Sequence, residues 1–481
     1  MAISQVIRAL QEALPAVDVI EPGNPEYSKL NSSYFAGQES DLKPACIVRS
    51  RSKQDVAKFL QVIKPWMHDV KFAIRGAGNQ PASGCANIQD GITLDLGLLT
   101  GIEVQDGTVQ IAAGESWGKV YEVLGVYGLG VAGGRSSRNG IGGLALQGGL
   151  SFVSSREGFI CDNVVNFEVA LASGFIIQAN ARENVDLFTA LKGAGNNLGV
   201  VTRYDLRTFK QGPVFGGTVV YLNHSFPGQI EALVHELRKS NRSKETHLML
   251  SIGFSAMVSK DAVMCLNQAY YTRAVEDPPE LEPFTKIQPQ IDGKNTMRLH
   301  TLKEAAEEQA ASSKQQVRCS YMNITVKADV ATLQAAANTY TAALSPVKGV
   351  ENATLSLTLQ PYPVSLLEKA SESRGGGGNS LGLGANNGPL VSVLLLSYWK
   401  NKSDDEAVEN FMKDTLEKIR EDARGRDQLV PFVYMNYAGG DQDPVASYGA
   451  ANKTNLQNVS MIFDPDGLFQ TGFPGGFKLF I

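Results

Sequence analysis

From Ser52 to Pro65 the chain opens with SKQD, a capping-box pattern, and then places Val56, Phe59, Leu60 and Ile63 at i, i+3, i+4 and i+7. That period predicts an amphipathic helix with one buried face. Three short apolar runs follow, KFAIR, ITLDL and VQIAA, each with the length and composition of a strand. A second helix is expected after Glu115, with Trp117, Val120, Tyr121 and Leu124 on one side. A long glycine-rich segment comes next. It leads into the strand pair VNFEVAL and FIIQAN, a short helix around Asp186 to Leu191, and the strand VVTRYDLRTF.

After about residue 213 the texture changes. Longer alternating runs appear: HLMLSIGF, AVMCLNQAYYT, YMNITVK, ATLSLTLQP and VSVLLLSYW. Helical segments separate them at residues 228–240, 328–344 and 404–423. The last is expected to be capped from Ser403, with Val408, Phe411, Met412 and Ile419 on its buried face. Alternating strands interleaved with amphipathic helices predict an antiparallel sheet backed by helices, an α+β lobe. The tail from Pro431 is loop-rich and aromatic, and no internal repeat of 20 to 50 residues is present.

Composition narrows the function classes. With 43% hydrophobic residues over 481 positions, the chain can bury a large core. A net charge of −5 leaves no basic field for nucleic acid. No apolar run is long enough to span a bilayer. Arg8 and Glu12 interrupt what would have to be the apolar centre of a signal peptide, so a cytoplasmic location is expected. The five cysteines (Cys46, Cys85, Cys161, Cys265 and Cys319) are scattered and odd in number, as for free thiols in a reducing compartment. The histidines lack metal-ligand spacing, so no metal is expected.

Glycine carries the candidate chemistry. Its 48 residues cluster at 125–149, 193–199 and 375–378. The last cluster, SRGGGGNS, reads as a flexible loop. In KFAIRGAGN a strand runs into a turn of small residues. The consecutive N–H groups of such a turn can converge on an anion, and Arg75 can add charge or orient the loop. A tight turn that needs positive φ explains the same residues. In GGRSSRNGIGGLALQGG, Gly140, Gly142 and Ala145 match a dinucleotide fingerprint. No strand precedes them, however, and Gly148-Gly149 cuts any helix short, so a Rossmann reading is rejected. Two glycine loops outside a Rossmann context still suit an extended cofactor that contains phosphate.

Taken in order, these segments resemble the berberine-bridge-enzyme-like branch of the vanillyl alcohol oxidase superfamily, with its para-cresol-methylhydroxylase-type FAD domain and fungal-type relatives. RGAGN (Arg75 to Asn79) resembles the family's pyrophosphate loop, commonly RGGGH. GGRSSRNGIGGLALQGGLSF resembles its second flavin loop, and GFICDNVVNFEVALASG and LKGAGNNLGVVTRYDLRT resemble the segments that follow. YMNYAGGDQDPVASYG and FDPDGLFQ resemble its closing segment.

The resemblance implies a two-lobed α+β protein. Residues 1–212, completed by a C-terminal segment 428–481, would form the FAD domain. Residues 213–427 would form a substrate domain whose sheet roofs the flavin. It implies FAD contacts from Arg75, Gly76, Ala77, Gly78 and Asn79 on the first loop. The second loop would supply Ser136, Ser137, Gly140, Gly142, Gly143 and Leu144. Cys161, Asp162 and Val164 would lie along the cofactor, Val201 near its adenine, and Tyr434 and Asn436 beside the ring.

Two departures stand out. Asn79 occupies the position of a histidine that tethers FAD in many members, and Ser136 that of a cysteine in bicovalent ones. FAD is therefore expected to be held without a covalent bond. The implied activity is an FAD-dependent oxidase or dehydrogenase. It would take hydride from a small, apolar or aromatic specialised metabolite, with Tyr434 as catalytic base and O2 as a possible electron acceptor. The alternatives are a redox-neutral cyclase that keeps FAD as a structural element and a non-catalytic flavin-binding protein.

Overall fold

The computed structural model describes residues 2–259, 261–312, 317–371 and 378–480. Most of the glycine run expected to form a loop at 375–378 lies outside the described residues.

Among the described residues, three sheets organise the fold. The first has four strands in the order Asp18–Ile20, Cys46–Arg49, Ile92–Asp95, Phe72–Arg75, its last three running parallel. The helix Lys53–Ile63 packs beside it. Ser52 caps this helix by accepting from the Asp55 N–H, and the Asp55 carboxylate accepts from Ser52 N–H in return. Val56, Phe59, Leu60 and Ile63 are buried, as their spacing predicts. The second sheet is antiparallel and centres on the eleven-residue strand Val200–Lys210, flanked by Thr108–Ala112 and Val164–Ala170.

The third sheet has eight antiparallel strands. Their order is Arg298–His300, Val214–Leu222, Val263–Tyr271, Thr246–Ser255, Thr354–Tyr362, Leu390–Trp399, Arg318–Lys327, Leu429–Val430. Its rear face and the helices Phe226–Arg238, Val330–Ala343 and Asp405–Gly425 share one apolar core. The cap expected from Ser403 is not formed: a 3-10 turn, Lys402–Asp404, leads into the last helix instead.

Among the described residues, two large cores follow from this, beside two small clusters. One large core gathers residues from Val6 to Val214, a middle group that includes Tyr270, Leu302, Tyr362, Leu381 and Leu390, and, from the end of the chain, Phe432 to Leu479. The other gathers Phe215 to Ala423. The tail is thus not an appendage: after crossing the sheet lobe the chain returns to fill the first core.

Candidate active site

The strand Phe72–Arg75 delivers the chain into the turn Gly76–Asn79. Arg75 does not point into open space. It is buried, donates to Leu30 O at 2.8 Å and Ser33 Oγ at 2.6 Å, and lies 4.1 Å over the Tyr34 ring. It therefore anchors the turn rather than facing a ligand. Gly78 has φ +66°, and a Cβ there would meet Tyr34 Cδ1 at 2.8 Å, so this position admits only glycine. Around Gly76 nothing lies within 4 Å of the Cβ position, because that side opens onto a cavity.

The second loop closes against the first. A Cβ on Gly140 would meet the Ala77 Cβ at 2.8 Å, so the two turns touch where both lack bulk. Gly142, Gly143 and Leu144 lie in a helix of five residues, Gly142–Leu146, that ends before Gly148 (φ +92°) and Gly149 (φ +82°). Behind them, Ile160 N–H donates to Gly149 O and Cys161 N–H to Gly148 O, both at 2.9 Å.

A cavity of about 660 Å³, within the range of small-molecule sites, runs from these turns to the eight-stranded sheet. Gly76, Ala77, Gly78, Asn79, Ser136, Gly140, Gly142, Gly143, Leu144, Val201, Tyr434 and Asn436 all line it. Arg75, Ser137, Cys161, Asp162 and Val164 do not. Ser137 N–H donates to Ala306 O at 3.0 Å, away from the cavity. Asp162 accepts from Phe159 N–H and Asn379 Nδ2, both at 2.8 Å, and burial raises its carboxyl pKa above the ordinary value. Cys161 is fully buried beside it, and Val164 starts a core strand. These residues brace the second loop from behind.

The sheet supplies the opposite wall, and its pleat decides which residues do so. Ser251, Gly253 and Ser255 face the cavity from one strand, and Thr354, Ser356 and Thr358 from its neighbour. Ser251 and Thr358 pair hydroxyl to hydroxyl at 2.8 Å, and Ser255 and Thr354 at 3.2 Å. Met264 and Leu266 flank this polar row on one side, and Leu394 and Leu396 on the other. The run VSVLLLSYW therefore divides: Val391, Val393 and Leu395 pack in the helix-side core, while Leu394, Leu396 and Tyr398 face the cavity.

Tyr434 is held by its backbone. It exchanges hydrogen bonds with the Asn323 side chain, donating to Oδ1 at 2.9 Å and accepting from Nδ2 at 3.0 Å. Its hydroxyl accepts from Asn436 Nδ2 at 3.1 Å, and the same amide donates to Gln147 O at 2.9 Å. Burial pushes the Tyr434 phenol well above its ordinary range. Tyr437 and Tyr362 add to the rise, while the charge of Arg135 and the amide of Asn436 oppose it. As it stands, the phenol keeps its proton.

Sequence reasoning passed over Arg135 and Tyr437. Arg135 donates to the Tyr437 hydroxyl, which in turn donates to Gln360 Oε1 at 3.1 Å, and the Tyr437 ring lies edge-on to Tyr434 at 4.8 Å. An arginine inside a Gly/Ser loop, and a second aromatic one residue beyond Tyr-x-Asn, were the available signals.

The residues present suit a flavin nucleotide. The abutting glycine turns leave main chain open to a diphosphate. Two buried atoms on the cavity residues, the donor Gln80 Nε2 and the acceptor Gln147 Oε1, have no partner within the protein. A ligand that both accepts and donates would satisfy them.

Comparison with known proteins agrees. The family model "FAD binding domain" matches residues 44–180. The FAD-dependent monooxygenase FUP4 of Fusarium proliferatum is 35% identical over 464 residues, covering 93% of this chain and 87% of its own. The berberine-bridge-like protein 1 of Physcomitrella patens superposes with a TM-score of 0.78 over 98% of this chain and 99% of its own, at 17% identity. Glucooligosaccharide oxidase of Acremonium strictum, which carries 6-S-cysteinyl, 8α-N1-histidyl FAD, does so at 0.77 over 96% of this chain and 97% of its own, also at 17% identity. At that identity the two structures speak for the fold alone, whereas the Fusarium relative is alike along nearly the whole chain. The chain therefore belongs to the family of FAD-linked oxidoreductases that includes the Fusarium FAD-dependent monooxygenase FUP4.

Proposed function

We propose that this enzyme removes a hydride from a small organic molecule lodged between the glycine turns and the polar row of the sheet, using FAD held without a covalent bond. The observation that carries the reading is that one cavity is walled both by the abutting turns at Ala77 and Gly140 and by a separate sheet lobe. Bound FAD would supply the electron acceptor; the protein's share is orientation and electrostatics.

Gly76, Ala77, Gly78, Gly140, Gly142 and Gly143 would hold the diphosphate through main-chain N–H groups, with Val201 toward the adenine. Asn79 and Ser136 both line the cavity, and neither an amide nor a hydroxyl forms the histidyl or cysteinyl flavin bond. Asn79 Nδ2 instead donates to Ala77 O and Arg138 O, both at 3.3 Å, which ties the first loop to the second.

The leaving proton would pass to water in the cavity, since a neutral phenol has no basic site for it. Tyr434 lines the cavity, but its burial opposes ionisation. Tyr437 accepts a charge-assisted hydrogen bond from Arg135 on its oxygen. We assign Tyr434 the role of a fixed donor toward the substrate, and Tyr437, held between Arg135 and Gln360, that of a positioning residue. The ligand would be an aromatic or apolar body, matching Leu394, Leu396, Met264 and Leu266, with oxygens along one edge for Ser251, Ser356 and Thr358.

The name of the Fusarium relative favours a second reading, insertion of oxygen into the product. Anaerobic mixing with candidate phenolic metabolites separates the outcomes. Loss of the flavin's visible band means hydride transfer, and labelled oxygen in the product after admission of isotopically labelled O2 means insertion. Product without loss of colour means redox-neutral cyclisation, and would overturn the proposal.

A further inference from the structure

Arg135 stands apart from the other residues around the cavity. Among the described lining residues only Arg135 and Lys294 are charged, and no carboxylate is among them. Lys294 is exposed, on the loop before Met297. Arg135 is half-buried, and its guanidinium sits on the sheet side. Its Nη1 donates to Met249 Sδ at 2.8 Å and lies 3.4 Å from His247 Nε2, while Nη2 donates to Tyr437. These partners are a thioether, a phenol and an imidazole. Burial, helped by the charges of Arg135 and Arg242, pushes the His247 pKa well below its ordinary value, so that ring is neutral. A partly desolvated cation with uncharged partners favours an anion nearby.

The side chain is also aimed. A Cβ on Gly133 would meet Trp117 Cε3 at 2.5 Å, and Gly134 O accepts from Tyr121 OH at 2.9 Å, so the loop just before Arg135 is pressed onto the helix Trp117–Val126. Rigid backbone on one side and Met249 on the other fix the guanidinium in the chamber. Such preorganisation lets a charged group bind an anion with little further ordering.

We propose that Arg135 is the anion-binding residue of the substrate chamber, and that the enzyme takes an acidic aromatic or enolic molecule, as its carboxylate or its ionised phenol or enol. This rests on the reading above in one respect: the diphosphate of FAD is taken to occupy the glycine turns, leaving Arg135 for a second anion. A guanidinium fork matches a carboxylate with two parallel hydrogen bonds. An apolar ring would then lie toward Leu394 and Leu396.

The test compares benzoate with benzamide on the FAD-loaded enzyme, by calorimetry and by perturbation of the flavin spectrum. Benzoate is expected to bind on the order of 10- to 100-fold more tightly, the range of a hydrogen bond to a charged group. Arg135→Gln should bring the ratio near one with FAD content unchanged, and Arg135→Lys should keep part of the preference. Equal binding of acid and amide by the wild type, no binding of benzoate, or a ratio preserved in either variant overturns the assignment. FAD is quantified first in each preparation. A chain that takes up no FAD refutes the flavoenzyme reading, while the calorimetric acid-to-amide ratio of the wild type and of Arg135→Lys still decides this one.

Discussion

The two faces of the eight-stranded sheet share the same backbone and the same strands, yet they do different work. Toward the helices stand Leu250, Leu355, Leu357, Leu359, Val393 and Leu395, all fully buried. Toward the cavity stand Ser251, Gly253, Ser255, Thr354, Ser356 and Thr358. Neighbours in sequence are thus separated into a wall that holds the lobe together and a wall that meets a ligand. A strand's period of two is what allows this, and it means stability and specificity can be altered independently.

Substitutions at adjacent positions test that separation. Leu357→Ala removes a fully buried side chain between sheet and helices, and should cost about 2–5 kcal/mol in urea unfolding. Folded Leu357→Ala protein should still take up FAD, because no atom near the glycine turns has changed.

The cofactor lobe has its own inner wall, and there the lever is a charge. The Glu39 carboxylate accepts from Gly84 N–H at 3.1 Å and Ala86 N–H at 2.8 Å, holding the segment that brings Cys85 and Ala86 to the cavity. Burial raises its pKa from 4.5 to about 7 despite those hydrogen bonds. The folded state therefore binds this proton more tightly than the unfolded one. Its contribution to stability is full below pH 4.5 and is lost as pH rises through about 7. Melting temperatures across that window should fall with pH in the wild type and flatten in Glu39→Gln. Equal slopes in the two proteins would contradict this assignment.

Gly253 joins the two faces. A Cβ there would strike the Leu355 carbonyl of the neighbouring strand, so Gly253→Val should strain the sheet by about 1–3 kcal/mol and also narrow the roof. The smallest stability effect is expected one residue from Leu357. Ser356→Ala on the cavity face should change unfolding by about 0.5 kcal/mol or less while altering which ligands bind. If Ser356→Ala and Leu357→Ala cost the same, the contrast between the faces fails.

Much of this was legible in the sequence. Helix Lys53–Ile63 announces itself by its cap and its period, and the order of the two glycine segments along the chain is what makes them read as cofactor loops. What escaped was set by tertiary placement. The run VSVLLLSYW reads as uniformly apolar, and only the pleat and the neighbouring helices reveal that half of it never meets the cavity. Arg75 and Asp162 look like ligand residues in a motif, yet each is consumed inside the fold, by Leu30 and Ser33 in one case and by Phe159 and Asn379 in the other. Arg135 and Tyr437 lie far apart in the chain, so nothing local joins them. Their contact exists because the C-terminal segment returns to the first core.

The central claim is that abutting glycine turns cradle an FAD that no side chain tethers. Acid precipitation of the purified protein tests it most directly. The account predicts a yellow supernatant holding about one FAD per chain over a colourless pellet, one cavity taking one nucleotide. Flavin retained in the pellet, or no flavin in either fraction after incubation with excess FAD, would contradict it.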